Sequence, residues 1–180
     1  MKKNLTLFVL IATLSFLSGA GFAQDKSDKL ERMLSRLASL NGNWKGSLLY
    51  LDYGDNKSLV TLPTTCEAVF NKTGSDKYLF VKFIFDEGKG RTVTGEDAWT
   101  IIDEKTFFYD STDYNIADYI TAKESTVFSF EKQGEDNNKP CTIQQMLVIN
   151  PDTYSIVKRV KYSDASEYFV RHQFSFERIK

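Results

Sequence analysis

Leu40-Asn41-Gly42-Asn43-Trp44-Lys45-Gly46 divides the chain into two kinds of sequence, and the fold is read outward from it. On its N-terminal side, Leu30, Met33, Leu34 and Leu37 recur at helical spacing between Lys29, Glu31, Arg32, Ser35 and Arg36. That pattern predicts one amphipathic helix over Ser27–Leu40, which Asn41-Gly42-Asn43 stops. On its C-terminal side the helical period vanishes. Short runs rich in Val, Ile, Thr, Tyr and Phe take over, separated by Gly, Asn, Asp and Pro clusters. They predict about ten strands, near 43–53, 58–71, 77–86, 91–102, 105–109, 115–121, 124–132, 140–150, 153–163 and 166–179.

A chain of strands on short connections forms a meander, and a meander must close or leave two unpaired edges. The expected fold is therefore mostly β, a single antiparallel meander of eight to ten strands closing into a barrel and preceded by one helix. Nothing in the sequence suggests an internal repeat or a second domain. Leu48-Leu49-Tyr50-Leu51, Tyr78-Leu79-Phe80-Val81 and Phe83-Ile84-Phe85 are apolar on both faces of their strands. Such strands bury something on each side, and the helix covers only a few of them.

Further upstream lie Lys2 and Lys3, an apolar run Leu5–Leu17, and the small-residue ending Gly21-Phe22-Ala23. This is the order of a secretory signal, cleaved between Ala23 and Gln24, so that 1–23 is removed and a leader and helix at 24–42 precede the domain at 43–180. Ser15, Ser18, Gly19 and Gly21 dilute the stretch below the roughly 20 apolar residues of a membrane span. No cysteine lies near the cut to accept a lipid. The expected product is exported, periplasmic or secreted, with no membrane insertion after cleavage. Losing two lysines and no acid, it would carry a net charge of −3 against −1 for the whole chain. That balance leaves no basic footprint for nucleic acid or for an anionic membrane.

Gly42-Asn43-Trp44, at the junction of helix and first strand, resembles the Gly-x-Trp signature of lipocalins and related calycin barrels. The resemblance implies that the helix covers a barrel floor, that Trp44 packs inside that end, and that a late Arg lies over its ring. Arg178 is the candidate. If the first and last strands pair antiparallel with Trp44 opposite Arg178, then Gly46 faces Phe176, Leu48 faces Phe174 and Tyr50 faces His172. All eight share one face, because side chains alternate with period two. Ten strands and a long helix depart from the eight-stranded pattern, so a calycin relative fits better than a true lipocalin.

Chemistry is sparse. With His172 the one histidine, any Ser-His-Asp or Cys-His device must run through the last strand, and a site with two imidazoles is excluded. Asp110-Ser111-Thr112-Asp113 lacks the alternating oxygens and central Gly of a calcium loop and reads as a solvated turn. No phosphate loop, nucleophile elbow or zinc motif is present, so catalysis is unsupported and no cofactor or metal is implied. Cys66 and Cys141, in an oxidising compartment, form either a disulfide or two separate buried thiols.

The functional expectation is a non-catalytic binding protein holding a small hydrophobic molecule in a lipocalin-like barrel. Leu48, Tyr50, His172 and Phe174 form its wall, and Trp44 and Arg178 its floor. The alternatives are an envelope interaction protein with a filled barrel, docking partners through its outer strands, and a haem-binding barrel using His172. Oligomeric state is left open.

Overall fold

In a computed structural model, which describes residues 18–73 and 76–180, the meander closes. Helix α1 spans Ser18–Ala38. The strands are β1 (Gly42–Leu51), β2 (Leu59–Thr73), β3 (Asp76–Gly88), β4 (Arg91–Asp103), β5 (Thr106–Tyr109), β6 (Thr112–Ala122), β7 (Ser125–Asp136), β8 (Lys139–Ile149), β9 (Thr153–Tyr162) and β10 (Phe169–Arg178). Each pairs antiparallel with its sequence neighbours, and β1 pairs with β10 to complete the ring. The closing register sets Trp44 against Arg178, Gly46 against Phe176, Leu48 against Phe174 and Tyr50 against His172, as period-two alternation requires.

The hairpins follow from turn chemistry. Lys89-Gly90, Asp110-Ser111 and Asn137-Asn138 are two-residue connections with positive φ at both positions, the backbone that continues the twist of the flanking strands. Two boundaries differ from the sequence reading. Gln133–Asp136 continue as strand, and the turn expected over Gln133–Asn138 shrinks to Asn137-Asn138. The helix starts at Ser18 rather than Ser27 and ends at Ala38. Most of the signal reading, 1–17, lies outside the described residues. Among the described residues, no helix is long and apolar enough to cross a membrane.

Met33, Leu34 and Leu37 of α1, with Leu40 just past its end, bury an apolar stripe across the end of the barrel where β3 begins and β4 ends. Each such side chain contributes about 1.5–3 kcal/mol by leaving water. Lys77–Glu31 and Lys29–Glu104 ion pairs flank the seam. Inside the barrel, stacked rings fill the space next to this floor. Phe83 lies 5.0 Å from Phe174, Phe174 5.9 Å from Phe176, and Phe176 4.8 Å from Tyr154, whose ring meets Trp44 edge-on at 4.8 Å.

The two cysteines are free, so of the two states open in the sequence the structure has the separate buried thiols. Cys66 pairs with Trp44 near the floor, whereas Cys141 pairs with Tyr162 toward the opposite end. β1, β10 and β9 separate their strands along the shorter arc. With about 4.8 Å between strands, that arc far exceeds the about 4.4–6.8 Å between Cα atoms that a disulfide spans.

Candidate functional site

The two ends of the barrel are chemically different. At the floor, Trp44 is 0% exposed and its Nε1 donates to Leu40 O at 2.8 Å. The Arg178 guanidinium covers the indole at 4.0 Å and donates to Ser39 O (2.7 Å), Asn41 O (2.8 Å) and Pro151 O (3.3 Å). Arg178 therefore satisfies carbonyls that the helix end leaves open. Gly42 is the permissive residue of this corner. Its φ is +134°, and a Cβ there would lie 2.8 Å from Arg178 Nη1.

At the opposite end, the mouth, lies a buried polar cluster absent from the sequence reading. Asp136 on β7 forms an ion pair with Arg171 on β10, the two side chains being 1% and 0% exposed. Tyr162 OH donates to Asp136 Oδ2 at 3.0 Å and accepts from Arg171 Nη2 at 3.1 Å. Arg171 Nη1 donates to Asn56 Oδ1 at 2.8 Å, and the guanidinium stacks on Tyr53 (4.5 Å) and Phe169 (4.9 Å). The β1–β2 loop, 52–58, is thus pinned over the mouth by an arginine from the last strand. Lys158 Nζ on β9 approaches Asp136 at 4.0 Å.

Below this cluster a row of side chains crosses four adjacent strands at one level. Tyr50 pairs with His172, His172 with Lys158, and Lys158 with Gln145. Directly opposed residues share a face. That face is the interior, because Ile156 and Val160 bracket Lys158 and Ile143 and Leu147 bracket Gln145, all buried. Lys132 on β7 joins them, its Nζ 4.7 Å over the Tyr114 ring. Burial pushes His172 down to about 3, with Lys158 adding to the effect, so the imidazole is neutral. Burial lowers Lys132 as well.

On the facing wall, Asp97 accepts from Ala98 N (2.8 Å), Trp99 Nε1 (2.7 Å) and Asp110 N (2.8 Å). Burial first and Asp97 second raise the Asp110 carboxyl. Asp110-Ser111 is the β5–β6 turn, yet its carboxyl is electrostatically coupled to the interior lysines. Among the described residues, no group of three or more His, Cys, Asp or Glu side chains is placed to hold a metal ion.

Of the residues expected to line a site, Leu48, Tyr50, His172 and Phe174 come together on β1 and β10. Phe174 belongs to the ring stack and meets His172 edge-on at 5.6 Å; Leu48 and Tyr50 are half-buried. Trp44 and Arg178 sit at the floor, away from them. Sequence reasoning missed Asp136, Arg171, Lys158, Gln145 and Lys132. A signal existed for two of these. Gln144-Gln145 and Lys158-Arg159 put two polar residues side by side in otherwise alternating strands, so one of each pair must face inward.

No family model and no curated protein matches this chain. Among solved structures it resembles Rv2717c from M. tuberculosis, with a TM-score of 0.56 and 12% identity over 82% of this chain and 97% of that one. It also resembles the S-type phycobiliprotein lyase CPES from Guillardia theta, with a TM-score of 0.54 and 9% identity over 83% of this chain and 92% of that one. What is shared at such identities is the fold alone, a closed antiparallel β-barrel.

Proposed function

We propose that this chain is an exported, non-catalytic binding protein that takes a small, mainly apolar molecule at the mouth of its barrel, against Leu48, Tyr50, His172 and Phe174. The observation that carries the reading is the asymmetry between the ends. The floor is sealed by Trp44, Arg178 and the helix, while the mouth end sets half-buried Leu48, Tyr50 and Phe85 beside buried polar atoms without partners among the described residues, His172 Nε2 and Gln145 Oε1. An unpartnered buried polar atom costs about 1–3 kcal/mol, a cost that a bound molecule offsets. The ring stack Phe83–Phe174–Phe176–Tyr154 occupies the floor half, which confines the ligand to the mouth half. Export rests on the residues 1–23 alone.

Haem, the other ligand reading, finds less support, because Phe174 packs edge-on against the His172 imidazole at 5.6 Å, on the side a flat macrocycle would take. The interaction-protein reading keeps one observation in its favour, the outward cross-strand neighbours Val69 and Phe80, exposed by 47% and 37%.

Native mass spectrometry of protein recovered without detergent from outside the inner membrane of a bacterial host tests both parts of the proposal. The expected species is a chain beginning at Gln24 with a small-molecule adduct. A bare mass overturns the binding role, and a chain retaining Met1 overturns export.

A further inference from the structure

The barrel wall dips at the β5–β6 hairpin. β5 has 4 residues, against 13 in β4 and 12 in β7 on either side of that hairpin. β5 meets β4 only at Thr100, Ile101 and Asp103, and β6 meets β7 no higher than Glu131. Among the described residues no other strand pairs on those two sides. Residues 91–99 of β4 and 132–136 of β7 therefore carry free edges across a notch whose base is the Asp110-Ser111 turn. We infer that the free edge of β4 receives an extended, basic segment of a partner protein, which adds as an antiparallel strand beside Thr92, Thr94 and Glu96.

Asp97 marks where the intact wall ends. Its carboxylate accepts from Ala98 N, Trp99 Nε1 and Asp110 N, capping the ladder above β5. Ala98 N–H thus goes to that carboxylate rather than to β3. Backbone groups alternate sides along a strand, so the N–H and C=O of Thr92, Thr94 and Glu96 point to the same open side. Such a row is a template for a further strand, and it lacks the usual protection, since residues 91–96 contain no Pro and no Lys. Thr92, Val93 and Thr94 are β-branched and exposed, which favours an extended edge ready to pair. Val93 pairs with Phe85 on the interior face, yet it is 45% exposed, because the strand that would flank it is missing.

Charge selects the partner. Asp113 and Glu135 are exposed on the outer side of the notch and Glu131 is half-buried there, and among the described residues none of the three forms an ion pair. The cations beside the edge, Arg91 and Lys82, are already paired with Glu87 and Glu96. An incoming strand with basic side chains outward and apolar ones toward Val93 matches both faces.

The probes are fluorescein-labelled heptapeptides of alternating lysine and valine, either unmodified, N-methylated on the lysine amides or N-methylated on the valine amides, with an alternating glutamate–valine peptide beside them. Hydrogen-bonded partners in an antiparallel pair share a face, so the outward lysines supply the amides that bond to Thr92, Thr94 and Glu96. Fluorescence anisotropy at low ionic strength, against the chain as recovered from the host, should show binding of the unmodified and valine-methylated peptides. The lysine-methylated and glutamate peptides should bind about tenfold or more weakly. Thr94→Pro removes an N–H from the free edge, where Pro is tolerated, and should weaken the unmodified peptide to the same degree, with circular dichroism confirming the fold. If that variant does not fold, the methylated peptides decide. Absence of binding, or equal binding of the lysine-methylated peptide, overturns edge pairing, and equal binding of the glutamate peptide overturns the basic partner. A chain that is dimeric by sedimentation and becomes monomeric in Thr94→Pro overturns the partner in favour of a second copy.

Discussion

Two arginines from the last strand do opposite things. Arg178, at the floor, directs all three of its nitrogens to backbone carbonyls and lays its plane on Trp44, a closed arrangement in which every partner of the guanidinium is uncharged. Arg171, at the mouth, engages a buried carboxylate, a phenol and an amide, and its Nε is left without a partner. The floor is a solved structural problem. The mouth tolerates cost, and buried charge that is tolerated is where binding sites are found.

The largest expected effect separates the two ends. Asp136→Ala strands Arg171 inside the barrel and should lower stability by about 3–5 kcal/mol in urea unfolding, whereas Asp136→Leu with Arg171→Met should recover most of the loss. A small loss in the single variant would mean that the pair is solvated and that the contrast is false. At the floor, Arg178→Met removes a cation from the indole face and opens three carbonyls that lie close to solvent. The cost there should be smaller, about 1–2 kcal/mol.

A third effect appears only as the pH is lowered. The folded His172 value of about 3 lies below its ordinary 6.5, so between those values the unfolded chain binds the extra proton. Stability contributed by neutral His172 is therefore present above pH 6.5 and declines as pH falls toward 3, by at most about 1.4 kcal/mol per pH unit. His172→Gln should flatten the fall of Tm with acid in that window. An unchanged slope would place the imidazole in water.

The register that closes the barrel was legible because two simple constraints meet in it. Gly42-Asn43-Trp44 starts the first strand at a known position, alternation carries the parity to Tyr50, and closure demands a partner strand whose inward set is His172, Phe174, Phe176 and Arg178. The mouth cluster was not legible for equally specific reasons. Gln133-Gly134-Glu135-Asp136-Asn137-Asn138 has the composition of a loop, but pairing with Lys139–Thr142 holds its first four residues in strand and turns Asp136 inward. Arg171 lies at odd parity to Arg178 and should face solvent. A bulge between Val170 and His172 lets Arg171 share the interior with its neighbour. The state of the cysteines was open in the sequence because it depends on strand order, which sets β2 and β8 four steps apart around the barrel.

What the sequence alone determined is the kind of barrel and its floor: ten strands, one covering helix, and a Trp–Arg contact that follows from local spacing and period-two alternation. What only the tertiary structure decided is the mouth. Its residues come from β1, β7, β8, β9 and β10, and a bulge together with a strand extension set which of their charges face inward. Local patterns carry the periodicity of a strand, but a shift of one residue in that periodicity is made by the partner strand and is absent from the chain taken alone.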